Sequence, residues 1–411
     1  MGSTTASEHF IPISQKVLLD HLLSEDRLSA ENKVQFQRFY DILKSLFHFE
    51  FQSMHDELKE NYHAFDPDPI TPPPGDVDHQ ASMAKFDSSF TSLMDRANFV
   101  PLTKEELEEA FSQETPLAVN VDVDLSNYEL LHLFSRGRSK RHETAPFLFV
   151  FKKKYELDVY DRLVMFAKFA PKHRKKGKKS TIGAEIHDDK VYLKYFKNVP
   201  VPDIEMIFPD PKIRMSLFDK LKISVPILTA FAVGGAQLAS LAGGDTSESL
   251  LTGVVIAFGG YAIKSFLSYR NTVMKYIKNL TQGLYFKNLD NNSGVFDAVM
   301  GEAQEEEVKE AMLGYYFLQV LGPMNEQTLD QAVEEWFKGK LGVELDFEVD
   351  DALHKLQRLE LAAEGADGTW QAIPLPDALR RLDYLWDNIF DYNDASAPAE
   401  KPVTGFQQPT G

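Results

Sequence analysis

ISVPILTAFAVGGAQLASLAGG, Ile223 to Gly244, followed after five residues by LLTGVVIAFGGYAIKSFLSY, Leu250 to Tyr269, decides how this chain is read. The first arm carries no charged residue, and the second carries only Lys264, near its end. At about 1.5 Å per residue, about 20 helical residues span a hydrocarbon core of about 30 Å. A long lysine stem near a helix end reaches back to the headgroups. Pro226 sits in the first turn of its helix, where the missing N–H costs nothing. The two arms together predict a two-helix transmembrane hairpin over residues 222–270.

The flanks point the same way. Lys212, Arg214, Lys220 and Lys222 precede the first arm; Arg270, Lys275, Lys278 and Lys287 follow the second; the connection holds Asp245 and Glu248 and no base. Bases outside both arms predict a multi-pass membrane protein with both termini cytoplasmic. Lys220, Lys222, Lys264, Arg270 and Lys275 are then the candidate lipid-headgroup contacts. Small residues four apart, Ala232 with Ala236, Gly235 with Ala239 and Gly253 with Ala257, let helix backbones approach closely within a bilayer. The alternative is a Gly- and Ala-rich hairpin buried in a large soluble assembly, for which the polar Thr229, Gln237 and Ser240 speak.

Composition bounds the rest. A chain of 411 residues has room for two or three domains, and 43% hydrophobic residues suffice for ordinary cores outside the hairpin. A net charge of −18 disfavours general nucleic-acid binding, which depends on neutralising phosphates. The absence of cysteine excludes disulfides, thiolate metal sites and cysteine nucleophiles. The start, MGSTTASEHFIP, lacks the basic and apolar runs of a secretory signal, so membrane targeting is assigned to the internal hairpin.

Residues 1–65 read as a helical region, with apolar side chains recurring at three and four from Phe36 to Phe47 and Ser29 as an N-cap. His48 and His55, seven apart, share a helix face, where ordinary hydrogen-bonded histidines are expected rather than a metal site. A Pro-rich linker occupies 66–84, and 85–221 reads as an α+β domain. There Phe86–Phe99 and Lys104–Phe111 predict helices, the second opened by a Thr103/Glu106 capping box. The alternation Leu117, Val119, Val121, Val123, Leu125 predicts a strand whose solvent face carries Asp122 and Asp124. Phe147–Tyr155 predicts another, and Ile182–Ile186 with Val191–Phe196 a hairpin around His187–Lys190, making a small, mostly antiparallel sheet. Two basic runs, Arg136–Arg141 and Lys172–Lys179, interrupt the acidic chain; the second lacks the interleaved aromatics of RNA binders and suits anionic lipid headgroups or a solvated loop.

The segment LKYFKNVPVPDIEMIFPDPKIRMSLFDKLKISVP, through Lys194, Phe196, Lys197, Val199, Pro200, Asp203, Ile204, Glu205 and Pro209, resembles the signature of the DUF3754 or transmembrane-protein-143-like family. A second matching stretch runs from Leu284 to Asn292 and on through Glu302–Ala311 and Tyr315–Leu318. The resemblance implies a membrane protein of unknown function and brings no catalytic residue with it.

Residues 271–295 connect the hairpin to a C-terminal domain at 296–392. Three helices, Val308–Leu321, Thr328–Phe337 and Phe347–Leu359, then a Gly-turned hairpin around Gly365–Gly368, give a winged-helix-like order. Between Glu326 and Tyr392 stand 16 acids against 6 bases, a net of −10, so a protein partner is expected there and no nucleic acid. The Glu302–Glu310 run reads as a charged helix face. Residues 393–411 read as a disordered tail. No H-E-x-x-H, P-loop or G-x-S-x-G is present, and no catalytic residue, metal or cofactor is expected. The expectation is an α+β membrane-anchored scaffold or assembly protein, a homo-oligomer touching membrane lipids; the alternative is an oligomeric channel or lipid-handling assembly lined by Lys264, Gln237 and the Gly faces.

Overall fold

The structure is a computed structural model that describes residues 10–72, 78–113, 120–147, 151–171, 187–209, 212–214 and 285–390, and the single positions 263, 264, 267, 271, 274 and 278. For 120–122, 143–147, 151–155 and 212–214 it describes the backbone alone.

Leu163, Val164, Met165, Phe166 and Ala167 are all fully buried, although side chains alternate faces along a strand. That is possible only if both faces of the sheet are covered. The strand is β4 (Phe151–Phe169), in an antiparallel five-stranded sheet of order β1 (Val100–Pro101), β3 (Tyr128–Phe147), β4, β5 (Val191–Pro200), β7 (Asn288–Asn291). β2 (Asn120–Asp122) pairs with β6 (Lys212–Arg214) apart from it.

On one face, Val164, Phe166, Leu193 and Tyr195 join a large core with helices α1 (Gln15–Ser24), α2 (Ala30–Tyr62), α3 (His79–Arg96) and α5 (Gly294–Leu321). Phe166 lies 5.6 Å from both Phe86 and Phe90, ring centre to ring centre. On the other face, Leu163, Met165, Ala167 and Phe196 meet α4 (Lys104–Ser112) and a 3-10 turn at Val201–Ile207. Each such large apolar side chain contributes roughly 1.5–3 kcal/mol on burial.

The first core continues without a break into the C-terminal helices α6 (Glu326–Leu341), α7 (Val349–Arg358) and α8 (Leu375–Asp387) and the hairpin β8 (Ala362–Glu364) and β9 (Trp370–Ala372). Met324, just before α6, forms an isolated antiparallel bridge to Trp370 of β9. α5 is the shared element. Its Phe296 packs on Tyr62 and Phe86, and its Tyr315 stacks on Phe39 at 4.3 Å.

Local chemistry sets the boundaries. The Ser29 hydroxyl accepts from Asn32 N–H at the start of α2, and the Thr103/Glu106 capping box is formed at α4. Asp78 caps α3 through Gln80 and Ala81 N–H. Gly342 ends α6 at φ +65°, left-handed backbone that glycine adopts without steric cost. Two strand expectations shift. Phe147 ends β3 and pairs with Phe151 at the start of β4, so the described part of Phe147–Tyr155 is divided between two antiparallel strands rather than forming one. Leu125 opens a 3-10 turn, and the strand before it is Asn120–Asp122.

The two-helix transmembrane hairpin is corrected. Among the described residues no helix is long and apolar enough to cross a membrane. α2 and α7's neighbour α5 have the length, at 33 and 28 residues, but carry charge along it, from Glu31 to Glu60 and from Asp297 to Glu310. The hairpin at 222–270 lies outside the described residues except for Ile263, Lys264 and Leu267, which are helical and exposed. The multi-pass placement with both termini cytoplasmic rested on that hairpin and is corrected with it.

Candidate functional site: a buried ion network on α5

The second half of the acidic run of α5 is buried, not solvated. Glu306, Glu307, Lys309 and Glu310 are all under 5% exposed. Burying a lone carboxylate is costly unless it is paired and hydrogen-bonded, and each of these has found a partner from a distant part of the chain.

Glu302 accepts from Arg136 of β3 and, at 2.6 Å, from the Tyr195 hydroxyl of β5. Glu305 accepts from Gln15 N–H at 2.9 Å. Glu306 accepts from Ile11 N–H and meets Lys309 Nζ at 2.8 Å, while Lys309 donates to the Ile11 carbonyl at 2.6 Å. Glu307 accepts from Arg96 Nε at 2.6 Å and lies 3.6 Å from Lys355 Nζ. Glu310 accepts from Lys355 and, at 3.0 Å, from Asn98 Nδ2. Glu50 of α2 extends the chain of pairs, taking Arg96 and Arg358 at 2.8 Å each. The arginines also lie over aromatic rings, Arg96 on Phe51 at 4.1 Å and Arg136 on Phe99 at 5.0 Å, a favourable placement for a guanidinium.

Burial decides the electrostatics. It pushes the Glu310 carboxyl up to about 8, against the pull of Lys355. Burial also works against the Lys355 ammonium, but Glu310, Glu307 and Asp351 outweigh it and raise that pKa. The same balance holds at Arg96, where Glu307 and Glu50 overcome burial. Burial, with Glu302 beside it, lifts the Tyr195 hydroxyl well above its ordinary value.

Chemically, this arrangement holds charge in place. Its acids and bases face one another inside the core. Among the described residues no group of three or more histidines and acids is placed to hold a metal ion. His48 and His55 instead pin α2 to α5, meeting Gln304 at 3.1 Å and Asp297 at 2.6 Å. Asp124 caps the 3-10 turn after β2 by accepting from Ser126 N–H.

In the first basic run Arg136 is taken by Glu302 of α5, and the other three pairs are with acids of β4. Arg138 pairs with Asp158, Lys140 with Glu156 and Arg141 with Asp161. The second run, 172–179, lies outside the described residues. So do the hairpin packing candidates Ala232, Gly235, Ala236, Ala239, Gly253 and Ala257, and the headgroup candidates Lys220, Lys222, Arg270 and Lys275; Lys264 is exposed. The network partners Arg96, Asn98 and Lys355 carry no sequence pattern that links them to α5.

The motif around Lys194 has a structural place. Phe196 and Val199 of β5, then Ile204 and Ile207 of the 3-10 turn, fill the second core beneath the sheet. Asn198 within it adopts φ +54°, and Asp203 is buried. Residues 160–294 match the family model described as a protein of unknown function, DUF3754. The DUF3754 segment thus runs from the middle of β4 to the first residue of α5. It contains Tyr195 of the ion network but none of the α5 acids. No solved structure matches the chain.

Proposed function

We propose that this protein is a non-enzymatic scaffold that associates with itself and offers its winged-helix-like C-terminal unit to a protein partner. The observation that carries the non-enzymatic reading is the burial of the α5 acids, ion-paired with α3, α7 and β3 and, at Glu306, hydrogen-bonded by Ile11 N–H of the segment before α1. Groups of the kind that perform acid–base chemistry serve here to join distant parts of the chain into one body.

The α7 helix supports the choice of a protein partner over nucleic acid. In the winged-helix order it is the third helix, the one that enters the DNA groove in DNA-binding members. Here Ala352, Leu353 and Leu356 are buried, Lys355 is bound to Glu310, and Arg358 to Glu50. The helix begins Val349-Asp350-Asp351, with acids where a phosphate contact would need bases. The narrower kinship with transmembrane-protein-143-like proteins is proposed from the Lys194–Pro209 motif as a relationship of sequence, with no membrane span attached to it. The channel or lipid-handling alternative drew on the hairpin and is set aside with it.

Sedimentation velocity of the full chain over a range of concentrations tests the reading. Scaffolding by self-association requires a concentration-dependent species larger than 46.6 kDa. A monomer at every concentration would sink it.

A further inference from the structure

β3 and β4 run well beyond the rest of their sheet. β5 pairs with β4 only from Val159↔Pro200 to Lys168↔Val191, and β1 meets β3 only at Phe134 and Ser135. The β3–β4 ladder continues past both, to Phe147↔Phe151. Residues 138–147 and 151–158 therefore form a two-stranded arm about 25 Å long, at about 3.3 Å per residue. A two-stranded ribbon is marginal alone in water, and an unpaired edge is a template for another strand. Among the described residues no strand pairs with either edge of the arm.

The sequence of the β4 edge indicates what would pair with it. Lys152-Lys153-Lys154-Tyr155-Glu156-Leu157-Asp158 is basic in one half and acidic in the other, with Tyr155 at its centre. Antiparallel pairing of this edge with its own copy, about a twofold axis at Tyr155, sets Lys154 opposite Glu156, Lys152 opposite Asp158 and Lys153 opposite Leu157. The two halves of the dimer then hold four opposite-charge cross-strand pairs and no like-charge pair. Moving the axis half a residue either way sets residues whose N–H and C=O face the partner opposite residues whose groups face away, so no ladder forms. Moving it a whole residue leaves two opposite-charge pairs and sets Lys154 or Glu156 against itself. Opposite charges across a strand pair stabilise it and like charges do the reverse, so the register at Tyr155 is the favoured one. Glu156 and Asp158 already lie beside Lys140 and Arg138 of β3, yet both remain about half exposed, at 55% and 41%.

We propose that the β3–β4 arm is a dimerisation element, and that a second copy of this chain pairs with it β4 edge to β4 edge about a twofold at Tyr155. An isologous contact of this kind needs one self-complementary surface, which the charge order of Lys152–Asp158 supplies. The proposal rests on the self-association reading and names the element responsible.

Two sets of full-length variants test it. K152E/K154E makes the edge acidic and E156K/D158K makes it basic. Each alone is expected to dimerise about tenfold more weakly or worse by sedimentation, and a mixture of the two to recover the dimer through restored opposite pairs. The chain has no cysteine, so Y155C gives a cross-link without background. Directly opposed strand residues lie about 4.5–5.5 Å apart between Cα atoms, within the disulfide range of about 4.4–6.8 Å. Y155C is expected to oxidise to a covalent dimer, and K153C, whose twin stands about 13 Å away along the strand, is not. An oligomer that both charge variants leave intact, with no Y155C cross-link, would overturn the arm while leaving self-association on another surface. A wild-type chain that is monomeric throughout would overturn both. A mixed-variant pair that stays monomeric while unmixed wild type dimerises would also overturn the register.

Discussion

At Glu310 two opposing effects can be weighed directly. Its carboxyl lies in the core beside Lys355 and Asn98, and burial raises it from an ordinary 4.5 to about 8. A carboxyl raised in the folded state holds a proton that the unfolded chain has already released. Its contribution to stability is therefore whole below about pH 4.5 and is lost as pH rises to 8, at no more than about 1.4 kcal/mol per unit. We expect urea midpoints to fall from pH 5 to pH 8 and then level, and E310Q to flatten that slope; a slope unchanged in E310Q assigns it to another group. K355M removes the ammonium and leaves Glu310 and Glu307 facing each other. Above pH 8, where Glu310 is ionised, breaking one side of the buried pair costs about 3–5 kcal/mol, and a measured loss there below about 1 kcal/mol would mean that water reaches the pair. The acidic run itself was legible in the sequence, as a charged helix face. Its burial was not, because the partners Ile11, Arg96 and Arg136 stand 295, 211 and 166 positions away from the acids they bind.

At the scale of elements, close approach matters as much as charge. A Cβ built on Gly314 of α5 would lie 3.2 Å from Leu356 Cδ1 and 3.4 Å from the Ala352 Cβ, both on α7. The helices meet there because this glycine has no side chain. G314A asks the flexible end of Leu356 to yield slightly. G314L forces α7 away and is expected to cost about 1–3 kcal/mol by overpacking, read as a shift in the denaturation midpoint. An equal effect from both would show that helix propensity, not the contact, sets the residue. Helix ends were the most legible elements, since Ser29 and the Thr103/Glu106 pair act through local hydrogen bonds. The long strands were the least. β4 is buried on both faces through Leu163–Ala167, so it shows no alternation to read. In β3, the bases Arg138, Lys140 and Arg141 mask a strand because their acids lie across the ladder on β4.

Over the whole molecule, apolar composition pointed to a membrane hairpin, whereas the described body is organised around α5. A run of apolar residues has the same composition in lipid and in a protein interior, so length and flanking charge alone left both readings open. The described part joins the N-terminal helices, one sheet face and the C-terminal unit in one continuous core. That continuity has a measurable consequence. All three tryptophans, Trp336, Trp370 and Trp386, belong to the C-terminal unit, while the long strands and α2 dominate the rest of the ordered backbone. Tryptophan fluorescence therefore reports one end of the core, and far-UV circular dichroism reports all of it. With α5 common to both ends and the Arg96–Glu307 pair between them, the two probes should trace a single transition in urea. R96A removes the ion pairs of α3 with Glu307 of α5 and Glu50 of α2 and alters no residue of α6, α7 or α8, so it should move both curves together. If fluorescence instead stayed put while circular dichroism shifted, the C-terminal helices would be folding on their own, and the ion pairs on α5 would be joining two bodies rather than building one.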